Sequence, residues 1–214
     1  MFKIKWIIIS GFIVTGLLWA SCNQETRIVC VGDSITEGAG LANHNYTAYP
    51  AVLGRILGDS YAVLNSGRSA TTLSLKGDFP YRTCKEFTNT FVFKPDIIII
   101  ALGTNDTKPY NWNAENFEHD YRALIDTFKT MDTNPDIILC IPVPVFKTTW
   151  AINDSTLTNG VIPVIEKLAA EYKLPLIDLY AGLKSDGALF PDNIHPDANG
   201  AEKIAQLVAN NILK

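Results

Sequence analysis

The chain has 214 residues and a formal charge of −4, with 18 basic against 22 acidic side chains. An acidic body without a Lys/Arg run repels phosphate backbones, which argues against nucleic-acid binding. Its four cysteines form no C-x-x-C pair, so zinc-ligand spacing is missing as well.

In chain order, Lys3 and Lys5 precede an apolar run from Trp6 to Leu18, which small Ala20 and Ser21 follow, and then Cys22. A positive start, a short apolar middle and a small-residue exit predict an export signal over residues 1–21. The run falls short of the about 20 apolar residues that a membrane span needs. Its end resembles a bacterial lipobox, with Trp19 where Leu is usual. That resemblance implies a lipid on Cys22, a tether over 22–26 and an exported lipoprotein held at a membrane of the periplasm or cell surface. What remains, 27–214, is the length of one ordinary domain. Cys30 and Cys140 lie in apolar runs and read as small buried hydrophobes. An oxidising compartment would permit one disulfide among Cys30, Cys84 and Cys140.

The first strand signal is Ile28–Val31. Others follow at Ala62–Leu64, at the four isoleucines 97–100, at Ile137–Ile141 and at Leu176-Ile177. Continuous apolar runs, rather than alternating ones, mark strands covered on both faces. Helical spacing appears between them: Phe117, Tyr121, Leu124, Ile125, Phe128; then Ile162, Ile165, Leu168, Ala169, Tyr172; then Ala201, Ile204, Ala205, Val208, Ile212. Tyr49 to Leu57 reads as a further helix, and Pro163 fits the first turn of its own. Strands alternating with helices predict an α/β fold with a five-stranded parallel sheet between helix layers. Sites in such sheets gather at the carboxyl ends of the strands.

Three fragments fall there. Gly32-Asp33-Ser34 ends the first strand and would present Ser34 beyond the sheet edge. Gly103-Thr104-Asn105-Asp106 ends the third, where the Asn105 amide could donate into the same cleft. Asp192-Asn193-Ile194-His195 lies in the last loop. There His195 suits a general base for Ser34, and Asp192 is near enough to orient it. Each fragment alone is a common turn; their combination and order are specific. His44 and His119 read as structural or solvated.

That order and wording resemble the GDSL-type, or SGNH, hydrolases. Gly32-Asp33-Ser34, Gly103-x-Asn105-Asp106 and Asp192-x-x-His195 match three of the family's blocks. The resemblance implies a flavodoxin-like three-layer α/β/α sandwich. It implies Ser34 as nucleophile, His195 and Asp192 as base and orienting acid, and an oxyanion hole of Ser34 N–H, Asn105 and a donor from the second block. In that block, Asn65-Ser66-Gly67-Arg68-Ser69-Ala70-Thr71-Thr72 aligns without a gap if Ala70 replaces a glycine. Alanine keeps the N–H but adds a methyl, so Ala70 is the first candidate donor and Gly67 the second. The Gly-x-Ser-x-Gly elbow is absent, because Thr36 stands at its second glycine.

The expected activity is a serine esterase acting on small acyl esters, acetyl above all, through an acyl-enzyme and with no metal or organic cofactor. A cation site from Asp33, Asp106, Asp192 and His195 competes weakly: it lacks a second His and leaves Ser34 without a role. The loops after the strands are mostly polar and carry Tyr110, Trp112, Phe146 and Trp150, which could stack on sugar rings or simply pack the loops. Polar loops with aromatic platforms suit a glycan ester better than a fatty acyl chain, and the wording of Gly103-Thr104-Asn105-Asp106-Thr107-Lys108-Pro109 and Ile141-Pro142-Val143-Pro144-Val145-Phe146 resembles exported bacterial members of the family linked to sugar deacetylation. A thioesterase or lysophospholipase would use the same triad. An acyltransferase would pass the acyl group to a sugar hydroxyl, and a binding lipoprotein would have kept the fold without the activity.

Overall fold

The structure is a computed structural model and describes residues 25–213; the segment expected to be an export signal, and Cys22, lie outside the described residues. From the amino end run β1 (Thr26–Gly32), the short helices α1 (Ser34–Glu37) and α2 (His44–Thr47), α3 (Tyr49–Leu57), β2 (Tyr61–Gly67), α4 (Lys85–Phe93) and β3 (Ile97–Ala101). There follow α5 (Ala114–Lys129), β4 (Asp136–Ile141), the single turn α6 (Asp154–Thr156), α7 (Ile162–Tyr172), β5 (Leu176–Asp178), α8 (Leu179–Leu183) and α9 (Ala198–Ile212).

The five strands form one parallel sheet in the order β2-β1-β3-β4-β5. Successive strand side chains point to opposite faces, and the run of four isoleucines shows the result. Ile98 and Ile100 join Val29, Val31 and Leu139 under α4, α5 and α7. Ile99 instead joins Ile28, Cys30, Ile138 and Cys140 under α3 and α9. Both faces are therefore covered, which is why these strands read as unbroken apolar runs. The inward stripe of α5, Phe117, Tyr121, Leu124, Ile125 and Phe128, is fully buried. Of these, Phe117, Leu124, Ile125 and Phe128 each contribute about 1.5–3 kcal/mol of burial. The result is the α/β/α sandwich with its five-stranded parallel sheet.

Helix α4 had no sequence signal. Its composition, Lys-Glu-Phe-Thr-Asn-Thr-Phe-Val-Phe, is rich in residues that favour strands or turns. It is held as a helix by Phe87 and Phe91, four residues apart, which pack on each other and on Phe128. Cys30, Cys84 and Cys140 are buried free thiols, so no disulfide links them. Burial pushes the Cys30 thiol up to about 12.

The topology fixes where chemistry can occur. β1 lies between β2 and β3, and the chain leaves it first to one side and then to the other. In register, Gly32 ending β1 sits beside Gly67 ending β2 and Ala101 ending β3. Three loops therefore leave the sheet at one level, at the switch point where open α/β sheets hold their ligands.

Candidate active site

Ser34 is the first residue of α1. Asp33 caps that turn, its Oδ1 accepting the Ile35 N–H at 3.0 Å. A Cβ on Gly32 would run into the Thr36 side chain, so the glycine lets the turn fold tightly onto the strand end. Ser34 is 8 % exposed.

From the loop between α8 and α9, Asp192 shapes its own neighbourhood. Its Oδ1 accepts the N–H groups of Ile194 at 2.9 Å and His195 at 2.7 Å, and Asn193, between Asp192 and Ile194, has φ 72°. Asparagine tolerates that left-handed conformation better than most side chains. Asp192 Oδ2 lies 2.7 Å from His195 Nδ1, and His195 Nε2 lies 2.8 Å from Ser34 Oγ. A carboxylate only accepts, so Nδ1 carries the proton and Nε2 is left as an acceptor for the serine hydroxyl. Burial pushes the Asp192 carboxyl up, but the hydrogen bonds from the His195 N–H, its ring and the Ile194 N–H outweigh this and hold it below its ordinary value. The chain's other two histidines lie elsewhere: His44 is exposed on α2, and His119 pairs with Asp120 on α5.

Facing this relay is the loop after β2. Ala70 is left-handed at φ 65°, and its N–H donates to no protein group among the described residues. The Ser34 N–H, first in its helix, has no partner inside that helix. The Asn105 amide donates to the Thr71 carbonyl at 3.1 Å, and its second N–H remains for a ligand. Gly67, the second candidate donor, has its N–H committed to Asn65 Oδ1 at 2.9 Å. A Cβ there would strike the backbone of Glu37, so this glycine is a spacer between β2 and α1.

Ser34, Ala70, Asn105 and His195 line one pocket of about 250 Å³, with Lys108, Trp150 and Ile152 completing its wall. A larger hollow of about 430 Å³, lined by Phe91, Lys94 and Met131, opens near the amino ends of β3 and β4, at the wrong end of the sheet for chemistry. Of the four aromatics read as platforms, two are packing residues. Trp112 sits against Phe117 and Gly160, and Phe146 against Phe190 and Gly187. Tyr110 and Trp150 are exposed.

The side chains considered for a cation are engaged separately. Asp106, fully buried, accepts the N–H groups of Leu73 and Ser74, each at 2.9 Å, while Asp192 is turned to His195. Among the described residues no group of three or more His, Cys, Asp or Glu side chains is gathered around a point. Burial pushes the Asp106 carboxyl up to about 7, against the two N–H bonds and with a further push from Asp33. Asp33 is raised by burial too, less the Ile35 hydrogen bond and the attraction of His195.

Several supporting residues carried no sequence signal. Glu37 Oε2 takes the Ser69 N–H at 2.6 Å, and Asp120 Oδ2 takes the Leu75 N–H at 2.7 Å and the Ser74 hydroxyl at 3.2 Å. Asn111 donates to the Asn105 carbonyl at 3.0 Å. Each acts across 32 or more residues, or on a backbone group, and local spacing reveals neither; only Asn111 lies within a turn or two of the group it holds.

A doubly wound α/β sheet with a Ser-His-Asp relay and free backbone donors at its switch point has the layout of an acyl-transferring hydrolase. The model of the GDSL-like lipase/acylhydrolase family matches residues 30–203, and the chain belongs to that family. It is 39% identical over 202 residues to an acetylxylan esterase of Xylanibacter ruminicola, covering 86% of this chain and 42% of that protein. The chain thus spans about two fifths of that relative's length. Among solved structures, the native aryl esterase of M. smegmatis aligns with a TM-score of 0.75 at 22% identity, over 88% of this chain and 98% of the other. Est24, a carbohydrate acetylesterase from Sinorhizobium meliloti, gives 0.75 at 20%, over 88% and 99%. Both likenesses are of fold.

Proposed function

We propose that the protein is a serine esterase that removes small acyl groups, acetyl above all, from carbohydrates. The carrying observation is the relay from Ser34 Oγ through His195 to Asp192, at 2.8 Å and 2.7 Å. In this reading Ser34 Oγ attacks the ester carbonyl as His195 Nε2 takes its proton. Asp192 stabilises the imidazolium. The carbonyl oxygen, now an oxyanion, meets the N–H groups of Ser34 and Ala70 and the free N–H of Asn105. The C–O bond breaks, His195 protonates the departing alcohol, and water repeats the sequence on the acyl-enzyme.

Two observations support a small acyl group on a sugar. The pocket beside Ser34 is small, about 250 Å³, with Ala39, Ala70 and Ile152 in its lining. The acetylxylan esterase is also the relative in which 39% of aligned positions are identical. The leader and Cys22 further suggest an enzyme held at a membrane outside the cytoplasm, a reading from residues 1–22 alone.

The test is hydrolysis of p-nitrophenyl acetate, butyrate and octanoate by the domain from residue 27 onward, with Ser34→Ala beside it. Acetate preferred, and lost in the variant, is the expected result. Octanoate preferred would move the reading to a lipase or thioesterase, and activity unchanged in the variant would remove Ser34 from the chemistry.

A further inference from the structure

The turn after Phe146 is built against local preference. Thr149 and Ile152 pair across it, each donating its N–H to the other's carbonyl. The two residues between them, Trp150 at φ 50° and Ala151 at φ 64°, are both left-handed. A two-residue turn of this kind normally takes Asn-Gly, because side chains with a Cβ resist positive φ. Trp-Ala is a poor choice for the turn itself, and strain of this sort gathers where a site requires it.

What the strain secures is the place of one ring. Trp150 lies beside His195, ring centroids 5.5 Å apart and planes inclined at 50°, and lines the pocket while remaining 60 % exposed. A large aromatic left that open gains little for folding. The turn is nevertheless fastened on both flanks to the machinery. The Thr149 hydroxyl donates to the Asp192 carbonyl at 3.3 Å. Asn153 Nδ2 donates to the Thr107 carbonyl at 2.7 Å and to the Ala151 carbonyl at 3.3 Å.

Direction follows from the chemistry. An oxyanion must face Ala70 and Asn105, and the leaving oxygen must lie within reach of His195 Nε2, which protonates it. Trp150 stands on the His195 side, so it borders the alcohol half of the ester rather than the acyl half. A flat indole there offers a face to the C–H side of a ring, a contact that an open-chain alcohol of two carbons cannot make.

Resting on the esterase reading above, we propose that Trp150 is a specificity-determining residue that binds the pyranose ring of the alcohol half of the substrate. The enzyme thereby selects esters of cyclic sugars over esters of small open-chain alcohols.

The experiment has two arms. In the first, Trp150→Ala and Trp150→Phe are compared with the unmodified protein on an acetylated methyl β-xylopyranoside and on ethyl acetate. The expected outcome is a loss of about 10-fold or more in kcat/KM on the pyranoside for Trp150→Ala, carried mainly by KM. Trp150→Phe should be intermediate, and the loss on ethyl acetate should be several-fold smaller than the loss on the pyranoside. Equal losses on both esters would reduce Trp150 to a prop for His195, and no loss on either would leave it idle; both overturn the proposal. Because Trp150 is exposed, its truncation removes no core packing, and a thermal melt of each variant checks this. In the second arm, the same pyranoside is titrated calorimetrically into Ser34→Ala protein with and without Trp150→Ala. Affinity should fall about 10-fold or more, and equal affinities would overturn the proposal. This arm needs no turnover, so an unmodified protein that cleaves neither ester would defeat the esterase reading while the titration still decides the role of Trp150.

Discussion

Glu37 Oε2 accepts the backbone N–H of Ser69 at 2.6 Å, and so ties the helical turn that presents Ser34 to the loop that presents Ala70. Glu37 stands one turn after Ser34, and Ser69 immediately precedes Ala70. Asn65 reinforces the tie, its amide donating to the Thr36 carbonyl at 2.8 Å. The distance between nucleophile and oxyanion donor thus depends on a carboxylate that touches neither. Glu37→Ala is expected to lower kcat about 10-fold with KM nearly unchanged, since it misplaces a donor used at the transition state. Glu37→Gln retains an acceptor oxygen and should recover most of the loss. A KM effect alone, or no recovery by Gln, would count against this positioning role; steady-state kinetics on p-nitrophenyl acetate decide it.

The Asn105 amide has two N–H groups and divides them between structure and the pocket. One holds the Thr71 carbonyl, leaving the other for the oxyanion. Removing one such donor typically costs about 2.7–4 kcal/mol of transition-state stabilisation, roughly two to three orders of magnitude in kcat. Asn105→Ala should show that loss, with a small drop in stability from the freed Thr71 carbonyl. Asn105→Asp keeps the size but turns the group into an acceptor, and should be no better. A near-normal Asn105→Ala enzyme would take this residue out of the oxyanion hole.

Much of this site is legible in the sequence because its parts sit at the ends of unmistakable strands. Ile97 to Ile100 could be read as a buried strand from its continuous apolar character, and the loop after it then had to lie at the sheet edge. Asp192 and His195 share a three-residue spacing that local geometry can use directly. Glu37, Asp120 and Asp106 act differently: their partners are backbone N–H groups 32 to 45 residues away, and a backbone donor has no letter in the sequence. Helix α4 escaped because Phe87 and Phe91 make it a helix through tertiary contact, against the propensity of the residues around them. The turn at Trp150 escaped for the same kind of reason, since nothing in Trp-Ala announces a left-handed pair.

Ala70 holds a conformation that costs most side chains. A left-handed L-residue is disfavoured by about 1–2 kcal/mol, which glycine avoids. Glycine also loosens the unfolded chain, at a cost of about 0.4–1 kcal/mol. The balance predicts that Ala70→Gly changes stability by roughly +0.5 kcal/mol, measured by urea unfolding, with turnover kept because the N–H is kept. A fall in kcat/KM beyond about 10-fold would mean instead that the Ala70 methyl shapes the acyl pocket.

Asp106 sets a pH dependence whose sign can be worked out. Burial raises its carboxyl to about 7 in the folded protein from an ordinary 3.8. A raised folded pKa means that the fold favours the protonated form. The associated stability is therefore complete below about pH 4 and is lost as pH climbs through 7. Between pH 5 and pH 8.5 the loss is on the order of 2–3 kcal/mol, at about 1.4 kcal/mol per pH unit below the folded pKa. Asp106→Asn provides the reference. It cannot titrate, and its amide can accept from only one of the Leu73 and Ser74 N–H groups, so it is less stable at every pH. Urea unfolding of both proteins at pH 5, 6, 7 and 8.5 should show the advantage of Asp106 shrinking as pH rises and flattening above about pH 8. An advantage that holds constant or grows across that range would mean that Asp106 is ionised throughout, with the two N–H bonds outweighing burial.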